Sequence, residues 1–243
     1  MPVFQMKIAG HTARLTGEFD STPLYFRTYL TEEPAEISLF STREDREKEQ
    51  AFLLEEALEE GMKPRVFPEP FLERAVLQRK MAQFLFEFDI LMVHGSTVAV
   101  DGTAYLFTAG CGTGKSTHTR LWRQSFGDRA VMVNDDKPFL TLTDAGVLAS
   151  GSPWSGKHGL DSNITVPLGG ICLLERGREN QIRRAVPEEL LPMLLHQSFC
   201  PEDRERRFRE LVVRLAEKVP LWKMTCNMDP DAALTAYRAM AQT

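Results

Sequence analysis

The chain has 243 residues, of which 43% are hydrophobic and 26% charged, and its formal net charge is -5. That is an ordinary globular composition, long enough to bury a core without disulfides or structural metal, and it offers no basic surface for nucleic acid. Cys111, Cys172, Cys200 and Cys226 form no CxxC pair, and no apolar run approaches the ~18 residues of a membrane span. With no charged-then-apolar leader pattern at the N-terminus, the expectation is a cytoplasmic protein with no nucleic-acid and no membrane partner. A homo-oligomer is compatible with this composition.

In chain order, 3–8 and 12–15 read as short strands around the turn at Gly10, and 35–40 as another. Segment 42–60 is rich in Glu, Lys, Leu and Ala, which are good helix formers, and Gly61 is a suitable C-cap. After Pro64, Pro68 and Pro70, the pattern over 71–90 predicts a long amphipathic helix with Leu72, Val76, Met81, Phe84 and Phe88 near one stripe. Residues 1–88 thus form a small α+β module whose expected role is to recognise an acceptor. The boundary to 89–243 is soft, between 71 and 89.

Segments 96–100 and 103–108 are apolar strands joined by Asp101-Gly102, a strong hairpin signal because both residues tolerate φ > 0. A helix is expected over 116–125 and a buried strand over 130–133. Strands at 139–143 and 147–150 bracket the turn 144–146, forming a second hairpin. A further strand is expected at 171–175. Segments 187–199 and 201–219 read as helices, the second opened by Pro201. The run 204–209 alternates Arg with acids and reads as a solvated helix face. A strand at 221–225 and a helix at 231–240 close an α/β arrangement.

The strongest chemical signal is Ala109-Gly110-Cys111-Gly112-Thr113-Gly114-Lys115-Ser116-Thr117, set between a strand and a helix. Gly110, Gly112 and Gly114 let backbone N–H groups turn inward as an anion nest. The helix that follows points its positive end at the same place. Lys115 supplies a charge for the β- and γ-phosphates, and the Ser116 hydroxyl suits Mg²⁺. The loop differs from the full Walker A form G-x-x-x-x-G-K-[ST], because Ala109 stands at the first glycine. Cys111 inside it is oxidisable but not a nucleophile.

Asn134-Asp135-Asp136 follows a buried strand about 20 residues beyond Lys115, where an α/β sheet brings carboxylates beside such a loop. One can hold Mg²⁺, and the other can accept the proton of an attacking hydroxyl. A turn built by Asp-Asp before Lys137-Pro138 is the competing reading. His94-Gly95-Ser96 precedes the first hairpin, and a lone histidine is usually structural. The loop Gly151-Ser152-Pro153-Trp154-Ser155-Gly156-Lys157, with Asn163 after it, offers an aromatic, hydroxyls and a cation. It would touch phosphate or acceptor through Lys157, or be a plain loop.

His94-Gly95, the Asp101-Gly102 hairpin, the loop through Ser116 and the strand ending in Asp135-Asp136 occur in an order and spacing that resemble the catalytic domain of HPr kinase/phosphorylase. The likeness covers 91–139 well and 151–177 loosely. It implies an α/β fold with α+β character: a P-loop kinase core of the HPr kinase/phosphoenolpyruvate carboxykinase type, with a mixed sheet and hairpins. It also implies that His94 lies near Asp135, that Asp135 is the general base toward a serine hydroxyl, and that Asp136 helps Ser116 and Asp135 hold Mg²⁺. The chain departs from the family at Ala109, at Thr117 (where the family carries Glu), in lacking the family's later arginine-bearing signature, and in its short N-terminal module. HPr is therefore a poor expectation as acceptor.

The expected activity is Mg²⁺-dependent transfer of the γ-phosphoryl group of ATP, or another nucleoside triphosphate, to a hydroxyl of a protein, peptide or small molecule, foremost a serine. Asp135, His94 and Lys115 would be catalytic, and Gly110, Cys111, Gly112, Thr113, Gly114, Lys115, Ser116, Thr117 and Lys157 would bind nucleotide. The alternatives are an NTPase, a carboxykinase-like enzyme acting on a small acid, and a nucleotide-binding accessory protein of a biosynthetic system.

Overall fold

The structure is a computed structural model that describes residues 1–59, 61, 63–110 and 112–242. The chain divides into two compact units, Met1–Leu85 and Phe86–Thr243.

In the first unit, β1 (Val3–Ile8) and β2 (His11–Thr16) form an antiparallel hairpin, and β3 (Ile37–Phe40) joins β2 in parallel. A short helix α1 (Ser21–Tyr25) escaped the sequence reading, because its few residues carry no periodicity. Helix α2 spans Arg43–Glu59. Helix α3 spans Glu69–Phe86 and buries Leu72, Val76, Leu77, Met81 and Leu85. Its expected end at 90 is corrected. Asp89 takes a left-handed conformation (φ 58°), with its N–H on Phe86 O. That leaves Phe88 exposed rather than on the apolar stripe. The Asp89 carboxylate holds the corner by pairing with Arg207 (3.2 Å) and Arg214 (2.9 Å).

The second unit is mixed α/β. Among the described residues its sheet has nine strands. They are β4 (Ile90–Met92), β5 (Ser96–Val100), β6 (Thr103–Thr108), β7 (Ala130–Asn134), β8 (Phe139–Thr143), β9 (Gly146–Ser150), β10 (Thr165–Arg176), β11 (Gln181–Arg184) and β12 (Leu221–Cys226). The main path runs β4-β8-β9-β10-β6-β5-β7, with β12 on β10 and β11 on β12. The β5–β6 turn has φ of 51° at Asp101 and 82° at Gly102, the positive pair that a tight hairpin needs.

Strand β10 is much longer than the expected 171–175. Thr165–Pro167 pair antiparallel with β9, after which the strand runs parallel to β6 and to β12. Pro167 and the Gly169-Gly170 pair hide this span in the sequence, since both residue types weaken a strand pattern. The irregularity between Leu168 and Gly170 lets one strand serve two ladders.

Helices cover both faces of the sheet. On one side α5 (Pro187–Gln197) and α6 (Glu205–Lys218) bring Leu190, Leu194, Phe208, Leu211 and Leu215 into a core with Leu106, Val133, Leu140 and Ile171. On the other, α4 (Lys115–Phe126) and α7 (Asp231–Met240) bring Leu121, Trp122, Ala233 and Ala236 onto Val98, Phe107, Cys172 and Met224. Helix α6 does not open at Pro201, because Asp203 is left-handed (φ 57°) and interrupts the turn. Arg206 and Arg209 face solvent as expected, but Arg204 and Arg207 also pair with Glu87. Among the described residues, no helix is long and apolar enough to cross a membrane.

Candidate functional site

The glycine loop leaves the end of β6 and enters α4 at Gly114, which caps the helix with φ 118°. Gly112 is also left-handed at 69°. A side chain at either position would be strained, so the tight entry into the helix depends on glycine. Thr113 N–H reaches Gly110 O at 3.3 Å and His118 N–H reaches Gly114 O at 2.9 Å. Lys115 folds back so that Nζ donates to Ala109 O at 3.1 Å. Cys111 lies outside the described residues.

Arg176, at the end of β10, holds the loop from the far side. Its guanidinium donates to Gly112 O at 2.5 Å and Thr113 O at 3.3 Å. Nothing in the sequence marks Arg176, because it belongs to no motif and stands 63 residues from Thr113.

The acidic pair is set by strand register. Thr97 opposes Asn134 across β5 and β7, so Ser96 comes beside Asp135. Ser96 Oγ donates to Asp135 Oδ1 at 2.5 Å and lies 2.7 Å from Thr119 Oγ1 on α4. Asp135, Ser96 and Thr119 are all buried. This hydroxyl chain ties the acidic strand to the helix that carries Lys115 and Ser116. Asn134 shapes the turn beyond: its Oδ1 accepts from the N–H groups of Asp136 (2.7 Å) and Lys137 (2.6 Å). Its Nδ2 donates to Ser152 O at 2.7 Å.

His94 is clamped by backbone. Its N–H meets Gln197 O at 2.6 Å, Val93 N–H meets Pro138 O, and Gly95 N–H meets Asp136 O at 3.0 Å. The ring then lies with Nε2 3.2 Å from Asp136 Oδ1. The expectation set His94 near Asp135; the partner of the ring is Asp136, because the ladder commits Asp135 to Ser96 while the turn after Asn134 swings Asp136 toward His94.

Burial lowers the imidazole of His94, and the charges of Lys137 and Lys115 add to this against the opposing pull of Asp136. Burial pushes the Asp136 carboxyl up, but the hydrogen bond from His94 and the charges of Lys137, His94 and Lys115 outweigh it and hold it below the usual carboxylate range. The resting pair is a neutral imidazole donating Nε2–H to a carboxylate.

The 151–157 loop sits against this pair. Ser155 Oγ donates to Asp161 Oδ2 at 2.6 Å, and Asp135 N–H reaches Leu160 O at 3.0 Å. Gly156 packs on Asp136, where an added Cβ would stand 3.2 Å from Asp136 Cβ. Lys157 is exposed on the turn Gly156–His158. At Gly151 a Cβ would meet Ser162 O at 1.9 Å and Val133 O at 2.7 Å, so three backbones converge there. The sequence singled out this loop but not Thr119, Asp161 or Arg176, and it named Ser96 only beside His94 without a role, because these roles depend on partners remote in the chain.

No family model matches the chain, and no curated protein matches it. Among solved structures, the chain is similar in fold to the HPr(Ser) kinase/phosphatase from Coxiella burnetii. The TM-score is 0.38 and the identity 12%, over 63% of this chain and 99% of that one.

Proposed function

We propose that this protein is a Mg²⁺-dependent kinase that moves the γ-phosphoryl group of ATP to a hydroxyl, with a serine of a protein or peptide as acceptor. The observation that carries the reading is geometric: Ser96 Oγ donates to Asp135 Oδ1 at 2.5 Å and lies 2.7 Å from Thr119 Oγ1 on the helix that begins with Lys115. That link supports reading the glycine loop, with its cation suited to phosphate, and the acidic segment, with its carboxylate–imidazole pair suited to a proton, as parts of one site.

In this reading the loop amides and Lys115 bind the phosphates and offset charge that develops on the transferred group. Asp136, ionised and only partly covered, accepts the proton of the acceptor hydroxyl. His94 holds that carboxylate in place through Nε2–H. Lys157 is a further cation for the incoming phosphate or acceptor. Among the described residues, no three His, Cys, Asp or Glu side chains gather as a resident metal cage would require. Mg²⁺ held mainly by phosphate oxygens and water needs only one or two carboxylates, and Ser116 and Asp135 are hard oxygen donors of that kind. When bound, Mg²⁺ would neutralise charge on the β- and γ-phosphates.

The test is incubation with Mg²⁺ and γ-labelled ATP, against a degenerate serine-centred peptide library and a matched alanine library. Label in the serine peptides alone supports the kinase. Release of inorganic phosphate at equal rates in both, with no labelled peptide, would make the protein an NTPase. Lys115→Ala should abolish nucleotide binding and transfer together.

A further inference from the structure

The small sheet of the first unit gives only one face to its core. Met6, Ile8, Ala13, Leu15 and Leu39, alternating along β1, β2 and β3, are buried. On the other face the register sets Gln5 beside Arg14 and Arg14 beside Ser38, one row across all three strands. A cavity of about 640 Å³ is lined by this row, by Val3, and by Leu30 and Glu32 of the segment that follows β1 on its outer edge. That segment is tied down by Thr31 N–H to Gln5 O at 3.0 Å.

Two opposite charges in the lining are uncommitted. Neighbouring acids have partners: Glu33 pairs with Lys7 at 2.6 Å and Glu36 with His11 at 2.9 Å. Among the described residues, the side chains of Arg14 and Glu32 make no hydrogen bond and no ion pair. A guanidinium set in a row between Gln5 and Ser38 is a carboxylate receptor. Glu32 suits a cation. Val3 and Leu30 are 51% and 47% exposed, apolar surface that a ligand would cover. Three strands are roughly 10 Å wide, and the volume falls in the upper half of the range of about 300–1,000 Å³ for ligand sites. A single small acid would leave most of this groove open to water.

We propose that this groove binds an extended segment of the peptide or protein acceptor, in which an acidic residue for Arg14 and a basic residue for Glu32 stand among apolar residues that cover Val3 and Leu30. That the segment belongs to an acceptor rests on the kinase reading. The groove itself lies within the first unit and uses no residue of the glycine loop.

The test passes a random peptide library over the immobilised full chain, without nucleotide or Mg²⁺, and sequences what is retained. Wild type should enrich acidic and basic residues within the same peptides, each about fivefold, the effect of one partly exposed ion pair. Arg14→Gln should lose the enrichment of acidic residues and keep that of basic ones, and Glu32→Gln should do the reverse. No charge enrichment in wild type, or the same enrichment in both variants, would overturn the proposal. So would displacement of the retained peptides by free glutamate at equal concentration, which would give the groove to a small acid. If Arg14→Gln does not fold, Glu32→Gln on the segment outside the sheet decides alone, and unchanged enrichment of basic residues in it overturns the proposal. Retained peptides that carry serine are then offered Mg²⁺ and γ-labelled ATP. Labelling, with KM raised about fivefold in Arg14→Gln, supports the acceptor assignment. Charge-selective retention with no labelling would support the peptide groove and end the kinase reading, whereas labelling of peptides without charge-selective retention would overturn the groove and leave that reading intact.

Discussion

His94 Nε2 lies 3.2 Å from Asp136 Oδ1, while Asp135, the neighbouring residue, turns the other way to accept from Ser96 Oγ at 2.5 Å. The register of the strand that ends at Asn134 carries Asp135 into the buried hydroxyl chain, and the turn held by Asn134 Oδ1 carries Asp136 to the imidazole. Two aspartates that look equivalent in sequence are thereby given different chemistry.

That division predicts opposite kinetic signatures. Asp136→Asn should lower kcat by about 10²–10⁴-fold, the range for loss of a general base, with nucleotide binding retained. Asp135→Asn should chiefly raise the Mg²⁺ concentration needed for half-maximal rate. Steady-state kinetics with Mg²⁺ titration separates the two. A normal kcat in Asp136→Asn together with a collapsed kcat in Asp135→Asn would reverse the assignment.

The rate should depend on pH on its acid side. Both His94 and Asp136 titrate below their usual values of 6.5 and 3.8. The working state, neutral imidazole with ionised carboxylate, is therefore complete above pH 6.5 and is lost as pH falls through the lowered pKa of His94. A profile of kcat at saturating ATP should be flat from about pH 7 to 8 and fall at acid pH. In His94→Gln, that imidazole-dependent limb should disappear.

Stability should have its own acid dependence through His118. The unfolded ring takes up a proton near 6.5, but the folded one resists down to about 4. Between those values the unfolded state binds more protons, so stability falls as pH falls. The span corresponds to roughly 3 kcal/mol at 1.36 kcal/mol per pKa unit. Urea unfolding at pH 7 and pH 4.5 should show a loss that is smaller in His118→Gln, whose side-chain carbonyl can still accept from Trp122. An equal loss in both proteins would show that His118 is not the group responsible.

Gly151→Ala should be severely destabilising, although glycine-to-alanine changes in open positions are mild. The added Cβ would press on backbone oxygens of Ser162 and Val133, neither of which can rotate away. Overpacking of this kind costs at least about 2 kcal/mol, and it would also shift the strand that leads to Asp135. Thermal denaturation and residual transferase activity should fall together. Unchanged stability would mean that the three backbones separate freely.

Local chemistry was legible in the sequence. Asp101-Gly102 specified a hairpin because both residues accept positive φ, and both adopt it. The loop glycines 112 and 114 stand in left-handed conformations, and a helix begins at Lys115. Alternating apolar runs located β5, β6 and β8 with their observed bounds. These features depend on neighbours within a few residues, which is the range over which sequence pattern carries information. The glycine loop could therefore be recognised from its own residues.

Long-range pairing was decided only by the tertiary structure. Thr165–Leu168 joined a strand because β9 and β6 offered edges that override the weak local signal of Pro167 and Gly169. Helix α3 stopped early because Arg207 and Arg214, more than 100 residues away, hold the Asp89 corner. His94 met Asp136 because three separate backbone contacts fix the 93–95 segment against the 136–138 turn and Gln197. A hydrogen bond between side chains that are distant in sequence depends on the register of strands and the direction of a turn. Neither is written in the identity of the residues that meet, so the glycine loop was apparent from the chain alone, and the partner of His94 was not.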